Sequence, residues 1–393
     1  MSYDVVRAVL DATPGPLHPA ARETLLAALD SGWADPRRLH REGRMARRLL
    51  DTARESVAAQ LGVRPPEVSF LPGGSTALTE GLAGLRCAGR RRGARVVAGA
   101  VEHSAILVPS RALAAAAQDP GLLAEVPVDS RGCVDLSAWR QALTHPGTVV
   151  AALQAANQEV GARQPLTSAL GAARARGVPL LVDATSSLGR DPVPTGYDVL
   201  VGDARSWGGP SGVGVLVVPE RTRWRRPGAP SEVEHGRTDV EPVVALVLAA
   251  AEAWRQSAAD LDEDQAARRL VDRIRATAGA IPDTEVVGDP LDRLPHVTTF
   301  SVLFADGEAL VDELDRRGIA VASGSACTAS TLEPSHVLRA MGVLTHGNVR
   351  VTLPLASTLP GGHAEREAAV DLLCRELPQV VADVRDRLGT AGL

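Results

Sequence analysis

Short apolar runs alternate along most of the chain with longer stretches rich in Ala, Arg and Leu, and this alternation constrains the fold more than any other feature. A short apolar run is typical of a buried strand, whereas a longer amphipathic stretch is typical of a helix. Strands and helices that alternate in this way build an open, mostly parallel α/β sheet. The predicted strands cover residues 68–71, 95–100, 149–153, 178–182, 198–201 and 213–218. The predicted helices between them begin at 73–74 and cover 104–117 and 166–176.

A second, smaller α/β region is predicted after a helical stretch. Its predicted elements are the helical stretch at 243–280, a strand at 296–303, a helix at 307–317, a strand at 319–323 and a C-terminal helix at 364–388. We therefore expect a large α/β domain over residues 1–245 and a small C-terminal α/β domain over residues 246–393. The Arg- and Pro-rich stretch 221–230 is predicted to be a surface loop near the boundary.

The composition excludes several classes of protein. A net charge of -5 and an aromatic content of 3% are unfavourable for nucleic-acid binding. The four cysteines form no Cys-x-x-Cys pair, so we expect no metal site and a reducing, cytoplasmic environment. The most apolar stretch, Val243–Trp254, contains Glu252 and is too short to cross a membrane. We also expect no signal peptide.

All 42 Lys and Arg residues are arginines, which excludes chemistry that needs a lysine amine.

Polar residues follow several predicted strands at the point where each strand ends. These residues are Gly73–Gly74, His103, Asn157–Gln158, Asp183 and the 203–206 segment. In open α/β sheets, ligands bind at the carboxyl ends of the strands. The sequence therefore predicts that these residues face one crevice.

Each of these residues has both a functional and a structural interpretation. Asp183 suits the cationic ring nitrogen of a cofactor, and it equally suits the N-cap of a helix. The glycine turn before Ser75 suits a phosphate group or a simple capped helix start. His103 suits ring stacking or proton transfer, or a structural role.

The stretch 322–328, Ala-Ser-Gly-Ser-Ala-Cys-Thr, is small, polar and the most specific signal in the chain. A cysteine in such a loop is expected to be exposed, so Cys327 is a candidate nucleophile. The alternative, a partly buried structural cysteine, suits Cys87, Cys133 and Cys374 better.

Seven segments in chain order resemble the cysteine desulfurases, which are pyridoxal-phosphate (PLP) enzymes of the class V aminotransferase group. The turn at 73–76 resembles their phosphate turn, and 208–214 resembles the segment just past their Schiff-base lysine. The stretch 323–328 resembles their mobile catalytic-cysteine loop, in the subgroup for iron–sulfur cluster assembly and tRNA thiolation. The other matching segments are 9–14, 102–105, 157–161 and 183–187. The resemblance implies a fold-type-I PLP-dependent transferase architecture, a homodimer, and a cysteine loop near 323–330.

The resemblance also implies a reaction and a set of site residues. In the family, a lysine holds PLP as an imine, L-cysteine displaces it, and the loop cysteine takes the substrate sulfur as a persulfide and leaves alanine. Cys327 would carry the persulfide, His103 would stack on the ring and Asp183 would pair with the ring nitrogen. The cofactor-binding positions implied are Gly74, Ser75, His103, Gln158, Asp183, Ser186, Arg205, Ser206 and Thr238, the last toward the phosphate of the other subunit.

The chain departs from the family at the cofactor anchor. The position of the family's lysine is Ser206, and a hydroxyl cannot form an imine. The family's Ser-x-His phosphate contacts are Asp203, which would repel a phosphate, and Arg205, which would attract one.

Further departures affect the cofactor ring, the substrate and the second subunit. Gln158 replaces an asparagine, and Ser186 replaces a glutamine. The family's Leu-Gly-Arg carboxylate clamp reads Leu-Pro-Leu at 353–355, and Arg237 replaces the glycine before Thr238. Losing the clamp removes the main determinant for an α-amino acid.

The sequence thus favours a cysteine desulfurase-like protein of sulfur transfer. It would bind PLP noncovalently with impaired or altered activity, or bind none and only relay sulfur on Cys327. One alternative is a catalytically dead pseudoenzyme that binds or regulates a true desulfurase or a sulfur acceptor. Another is a different PLP reaction with a noncovalent cofactor, in which Ser206 or His103 moves protons.

Overall fold

The structure is a computed structural model that describes residues 7–260, 262–323 and 334–389. The strands of these residues, in chain order, are β1 (Ala8–Val9), β2 (Val68–Leu71), β3 (Arg95–Gly99), β4 (Leu123–Val126), β5 (Thr148–Gln154), β6 (Leu180–Asp183), β7 (Val199–Asp203), β8 (Gly214–Val217), β9 (Thr284–Val287), β10 (Val297–Val302), β11 (Ile319–Ala320) and β12 (Asn348–Thr352). The helices are α1 (Pro19–Ser31), α2 (Arg41–Leu61), α3 (Gly74–Gly89), α4 (Ser104–Ala116), α5 (Leu136–Ala142), α6 (Leu166–Ala175), α7 (Val244–Ser257), α8 (Glu263–Gly279), α9 (Gly307–Arg316), α10 (His336–Met341) and α11 (Gly362–Leu388).

The main sheet has seven strands in the order β2-β8-β7-β6-β5-β3-β4. Neighbouring strands are parallel except at β8, which is antiparallel to both β2 and β7. This sheet confirms the predicted mostly parallel α/β architecture. Because the other strands share one direction, their carboxyl ends lie at one edge of the sheet.

Helices cover both faces of the main sheet because its strands are apolar on both sides. In β7, Leu200 belongs to one hydrophobic core cluster, whereas Val199 and Val201 belong to the cluster on the other face. This is the two-residue period of a strand with both faces buried. Because both faces are buried, these strands are continuous apolar runs in the sequence.

A second core lies beside the antiparallel sheet β9-β10-β12 and is covered by α8, α9 and α11. The strand β1 pairs with β11, so Ala8 and Leu10 belong to this second core. Conversely, α7 packs on α1 and α2 in the first core. A division between residues 245 and 246 stays a prediction, and the core packing favours a boundary after α7.

Three predicted elements differ most from the structure, and one is the strand predicted at 319–323, which covers only Ile319–Ala320. The strand predicted at 178–182 begins at Leu180, because Gly177 (φ 62°) ends α6 and the Val178 N–H is used by the Ala173 carbonyl. The predicted helical stretch 243–280 is two helices, α7 and α8. No helix in the described part of the chain is long and apolar enough to cross a membrane.

A buried ion pair fixes the chain segment before α7. Arg54 in α2 donates two hydrogen bonds of 2.7 Å to the carboxylate of Glu234, and Glu234 Oε2 also accepts the Phe70 N–H at 2.7 Å. Glu234 has a φ of 46°, a conformation that is unfavourable for a residue with a side chain. The ion pair therefore holds this segment against β2.

We predict that Glu234→Gln destabilises the protein by about 3–5 kcal/mol, because it leaves the buried Arg54 guanidinium without a counter-charge. The unfolding midpoint in urea measures the change. Glu232→Gln is the matched control, since Glu232 is exposed two residues away and should shift stability by less than about 0.5 kcal/mol. Equal midpoints for the two variants would contradict the prediction.

Candidate cofactor site at the carboxyl edge of the main sheet

The predicted polar residues come together at the carboxyl edge of the main sheet. Asp183 and Asp203 are the last residues of the neighbouring strands β6 and β7. His103 precedes α4 just after β3, and Asn157 follows β5. The strands that carry these residues are paired in the order β7-β6-β5-β3, so the residues lie along one edge of the sheet, which is called the crevice below.

The turn predicted to bind phosphate already holds an anion, the side chain of Asp203. Gly73 has a φ of 91° and precedes α3, and the Gly74 N–H donates to Asp203 Oδ2 at 2.7 Å. A Cβ on Gly74 would lie 2.9 Å from that oxygen. A carboxylate is stabilised at a helix N-terminus in the way that a phosphate is. Asp203 therefore takes the hydrogen bond that the turn offers to a ligand.

Arg205 neutralises the Asp203 carboxylate. Its Nε lies 2.8 Å from Oδ1 and its Nη2 lies 2.9 Å from Oδ2. Hydrogen bonding to Asp203 raises the pKa of Arg205. Sequence analysis expected Arg205 to attract a phosphate, but the structure places it in a bidentate pair with Asp203. The phosphate position of the family thus does not fit a phosphate in this chain.

Ser206 is tied to the backbone. It lies in a short 3-10 turn, Ala204–Trp207, and its Oγ is 2.7 Å from the Leu188 carbonyl oxygen and 3.0 Å from that of Asp203. The hydroxyl donates to these carbonyls, so it is part of the local packing. Together with the absence of lysine, this leaves no amine at the family's anchor position.

Asp183 makes a local hydrogen-bonded turn. Its Oδ1 accepts from the Thr185 N–H at 2.8 Å and from Thr185 Oγ1 at 2.7 Å. Burial raises the pKa of Asp183, while the neighbouring His103 opposes the shift. Burial also raises the pKa of Glu102 well above its usual range, and the charge of Asp183 adds to it. The bonds to Thr185 match the structural interpretation of Asp183, as a residue that caps the chain after β6.

His103 and Asn157 also have local structural roles. The Nδ1 of His103 accepts the Ala105 N–H at 3.0 Å and caps α4, so a neutral ring carries its proton on Nε2. Asn157 Oδ1 accepts the N–H groups of Glu159 and Val160 at 2.8 and 2.9 Å. These bonds order the crevice without any ligand.

The remaining predicted residues are spread around the crevice and beyond it. Ser75 is exposed in the first turn of α3, and Gln158 and Ser186 are half-buried. Thr238 is buried, and its Oγ1 accepts the Val240 N–H at 3.1 Å within the same chain. Cys327 lies outside the described residues.

Sequence analysis missed Glu159, which holds the chain that follows the 324–333 segment. Its Oε2 accepts a 2.9 Å hydrogen bond from Ser335 Oγ, and next to Ser335 the His336 Nε2 lies 3.0 Å from the Glu102 carbonyl oxygen. Burial raises the pKa of Glu159 to about 7, although Ser335 and Arg350 oppose the shift. The available signal was a carboxylate directly after the strand-end pair Asn157–Gln158.

Sequence analysis also missed Arg190, which binds the 353–355 segment, where the resemblance places the substrate clamp. Arg190 donates to the Leu353 carbonyl at 3.3 Å, and Arg366 donates to the Pro354 carbonyl at 3.0 Å. Both arginines pair with the buried carboxylate of Glu263. Burial lowers the pKa of Arg190 to about 10. The 353–355 segment is thus fixed by internal charges, with Leu355 buried.

Comparison with known proteins identifies the family to which the chain belongs. The Aminotransferase class-V family model matches residues 16–360, so the chain belongs to that class. Within the class it belongs to the cysteine desulfurase family. It is similar to a cysteine desulfurase from Cereibacter sphaeroides, with 33% identity over 389 residues that cover 94% of each protein. An IscS-like cysteine desulfurase from Mycobacterium tuberculosis is also 33% identical, over 94% of this chain and 95% of the relative.

Solved structures show the same fold. A NifS-like protein superimposes with a TM-score of 0.85 at 22% identity, covering 96% of this chain and all of that chain (100%). DndA from Streptomyces lividans superimposes with a TM-score of 0.73 at 25% identity, covering 87% and 98%. These likenesses confirm the predicted fold-type-I architecture.

The raised pKa of Glu159 predicts a pH-dependent stability. Between its usual value of 4.5 and about 7, the folded state binds more protons at this carboxyl than the unfolded state does. Stability contributed by Glu159 therefore falls as pH rises through that window, by on the order of 3 kcal/mol, and is constant above it. We expect the stability of Glu159→Gln relative to the parent protein to increase from pH 4.5 to pH 8.

Urea unfolding at several pH values measures this difference. Glu55→Gln is the matched control, because Glu55 is an exposed glutamate in the middle of α2. Its difference from the parent should stay constant with pH. A constant difference for Glu159→Gln as well would show that Glu159 does not titrate in this window.

Proposed function

We propose that this chain is a cysteine desulfurase family member that has lost PLP-dependent removal of sulfur from L-cysteine and serves in sulfur transfer as a persulfide carrier. The observation that carries the proposal is the Asp203 carboxylate on the Gly74 N–H, in the place of the family's phosphate group. Cys327 lies in a stretch that resembles the family's cysteine loop, and in this proposal it carries the persulfide sulfur.

Three parts of the family's site argue against its reaction, two at the cofactor and one at the substrate. Ser206 offers no amine for an imine, and its hydroxyl is engaged with the Leu188 carbonyl. A phosphate beside Asp203 would add negative charge to negative charge, at about 4 kcal/mol for unit charges 4 Å apart at an intermediate dielectric constant. Arg205, which is paired with Asp203, offsets part of this cost, but the Gly74 N–H stays occupied by the carboxylate. At 353–355 there is no guanidinium for a substrate carboxylate.

The relay step needs no cofactor. The Cys327 thiolate attacks the terminal sulfur of a persulfide on a donor protein, the donor's S–S bond breaks, and the donor cysteine leaves as a thiolate. One sulfur atom moves and no net oxidation or reduction takes place. A true desulfurase is the donor in this proposal, and the acceptor is a further thiol.

We predict that Cys327 gains one sulfur atom when the protein is incubated with an active cysteine desulfurase and L-cysteine. Mass mapping after alkylation locates the sulfur. Cys327→Ser should abolish the transfer, whereas Cys133→Ser should retain it, since burial and nearby aspartates raise the pKa of Cys133 and disfavour its thiolate. L-cysteine and PLP without the desulfurase should give no alanine.

Two results would contradict the relay. Alanine formed without the added desulfurase would show that the chain keeps its own catalysis. If no sulfur reaches Cys327 while the protein changes the rate of the added desulfurase, the chain is a regulator instead of a carrier.

We further predict that Asp203→Ser together with Ser206→Lys restores cofactor binding, because the pair of changes frees the Gly74 N–H and supplies an amine. Ser206→Lys alone should bind PLP at least tenfold more weakly, since the carboxylate stays in the phosphate position. Absorbance of the imine and borohydride reduction measure binding. Asp198→Ser with Ser206→Lys is the matched control, because Asp198 lies at the opposite end of β7. Equal PLP binding by the single and double variants would show that Asp203 does not block the site.

A further inference from the structure

A concave region lies at the edge of the main sheet opposite to Asp183 and Asp203. It is a cleft of about 790 Å³ that is lined by the end of α3, the end of α6 and the segment after β8. Leu180, the first residue of β6, lies in the cleft, whereas Asp183, the last residue of β6, lies at the crevice described above. The strand therefore separates the two regions.

Seven arginines line this cleft, and no carboxylate of the described residues lies within ion-pairing distance of any of them. They are Arg90, Arg91, Arg92, Arg174, Arg221, Arg223 and Arg225. Four of them donate to main-chain carbonyls, among them Arg92 to Gly177 at 3.0 Å and Arg174 to Gly196 at 3.3 Å. Elsewhere, arginines commonly pair with carboxylates, as Arg111 does with Glu125. The cleft is thus a local positive region in a chain whose net charge is -5.

The carboxylate that lines the cleft, Asp198, is used by the main chain. Its Oδ2 accepts the Leu180 N–H at 2.9 Å. It therefore supports the start of β6 and does not neutralise the surrounding guanidinium groups.

Trp224 holds the three arginines that follow β8 in place. Its indole lies on α3 at Gly84, where an added Cβ would come within 1.9 Å of the ring, and the Arg225 N–H donates to the Gly84 carbonyl at 3.2 Å. Trp224 is half-buried, whereas Arg223 and Arg225 on either side of it are exposed. The predicted surface loop is thus anchored, and its alternate residues present guanidinium groups at the cleft.

The floor of the cleft is apolar. It includes the half-buried side chains of Leu170 and Pro179, and Leu170 Cδ1 lies 3.9 Å from the Cβ position of Gly196, close to Arg174. An apolar floor with a cationic rim fits a ligand that has a flat apolar part and several negative charges. The volume is within the range of small-molecule sites, about 300–1,000 Å³.

We propose that this cleft binds the phosphate groups and base of a nucleotide, either free or at the end of a single strand. Guanidinium groups match phosphate oxygens with paired hydrogen bonds. Seven arginines around a cleft of this size need closely spaced negative charges, which a polyphosphate provides. The carboxylates of an extended acidic peptide alternate in direction and spread along the chain, so a peptide matches the cleft less well.

This proposal is independent of the proposed function, because it uses no residue of the cofactor crevice and no cysteine. The sequence-based expectation against nucleic acids rested on total charge and aromatic content. Neither quantity describes how the arginines are distributed in the fold.

Binding of a fluorescent adenosine triphosphate derivative to the full chain, followed by anisotropy, tests the arginines. Arg91→Gln and Arg223→Gln should each weaken binding roughly tenfold or more. The matched control is Arg22→Gln, which removes an exposed arginine of α1 outside the cleft and should leave affinity unchanged. Thermal melting checks that all three variants are folded. Equal affinities for the cleft variants and the control would overturn the proposal.

Competition by other anions tests the base-binding floor. Adenosine triphosphate should compete at least tenfold better than inorganic tripolyphosphate, and Leu170→Ala should reduce that preference. Equal competition by tripolyphosphate, or stronger competition by a poly-glutamate peptide, would overturn the assignment of a nucleotide.

A short single-stranded oligonucleotide distinguishes the two sources of nucleotide. If it binds more tightly than the free nucleotide, its affinity should fall with salt with a slope of about 0.7 per phosphate contact, and Arg223→Gln should lower that slope. Such a result identifies the end of a strand as the ligand. If it binds more weakly than the free nucleotide, the ligand is the free nucleotide.

Discussion

The hydrogen bond from the Gly74 N–H to Asp203 determines how this chain uses an inherited fold. The N-terminus of α3 carries partial positive charge and unpaired N–H groups, which an anion must satisfy. Here the anion is part of the protein, contributed by a residue 129 positions later in the chain. The glycine turn therefore has an acceptor for the Gly74 N–H within the chain itself.

The same replacement occurs at two other places around the crevice. The Ser206 hydroxyl binds the Leu188 carbonyl where the family has its lysine, and Arg190 and Arg366 bind the carbonyls of the 353–355 segment. A buried polar group without a partner costs free energy, so an internal partner stabilises each of these groups when no ligand is bound. The contacts at 203, 206 and 353–355 are therefore consistent with the proposed loss of cofactor and substrate binding.

The sequence predicted six of the seven strands of the main sheet because these are apolar on both faces, as in β7. It missed the edge strand β4, in which Glu125 is exposed. It also predicted that the strand-end residues share one edge of the sheet, since the carboxyl ends of parallel strands lie together. It did not predict that Asp203 would contact Gly74 or that Glu159 would hold Ser335, because these pairs are distant in sequence and leave no local pattern. The arginine cleft was not predicted for the same reason. Residues 90–92, 174 and 221–225 are distant in sequence and meet only because of the order of the strands.

The pairing of β1 with β11 affects how the chain can be synthesised and folded. Ala8 and Leu10 are among the first described residues, yet they pack in a core completed by α11, whose last contributor is Val384. During translation Ala8 and Leu10 must wait for the synthesis of α11 before they reach all their native contacts. The first core, around the main sheet, has no such requirement and can form earlier. Residues 7–10 are therefore expected to remain accessible to proteases and chaperones until the ribosome has released α11.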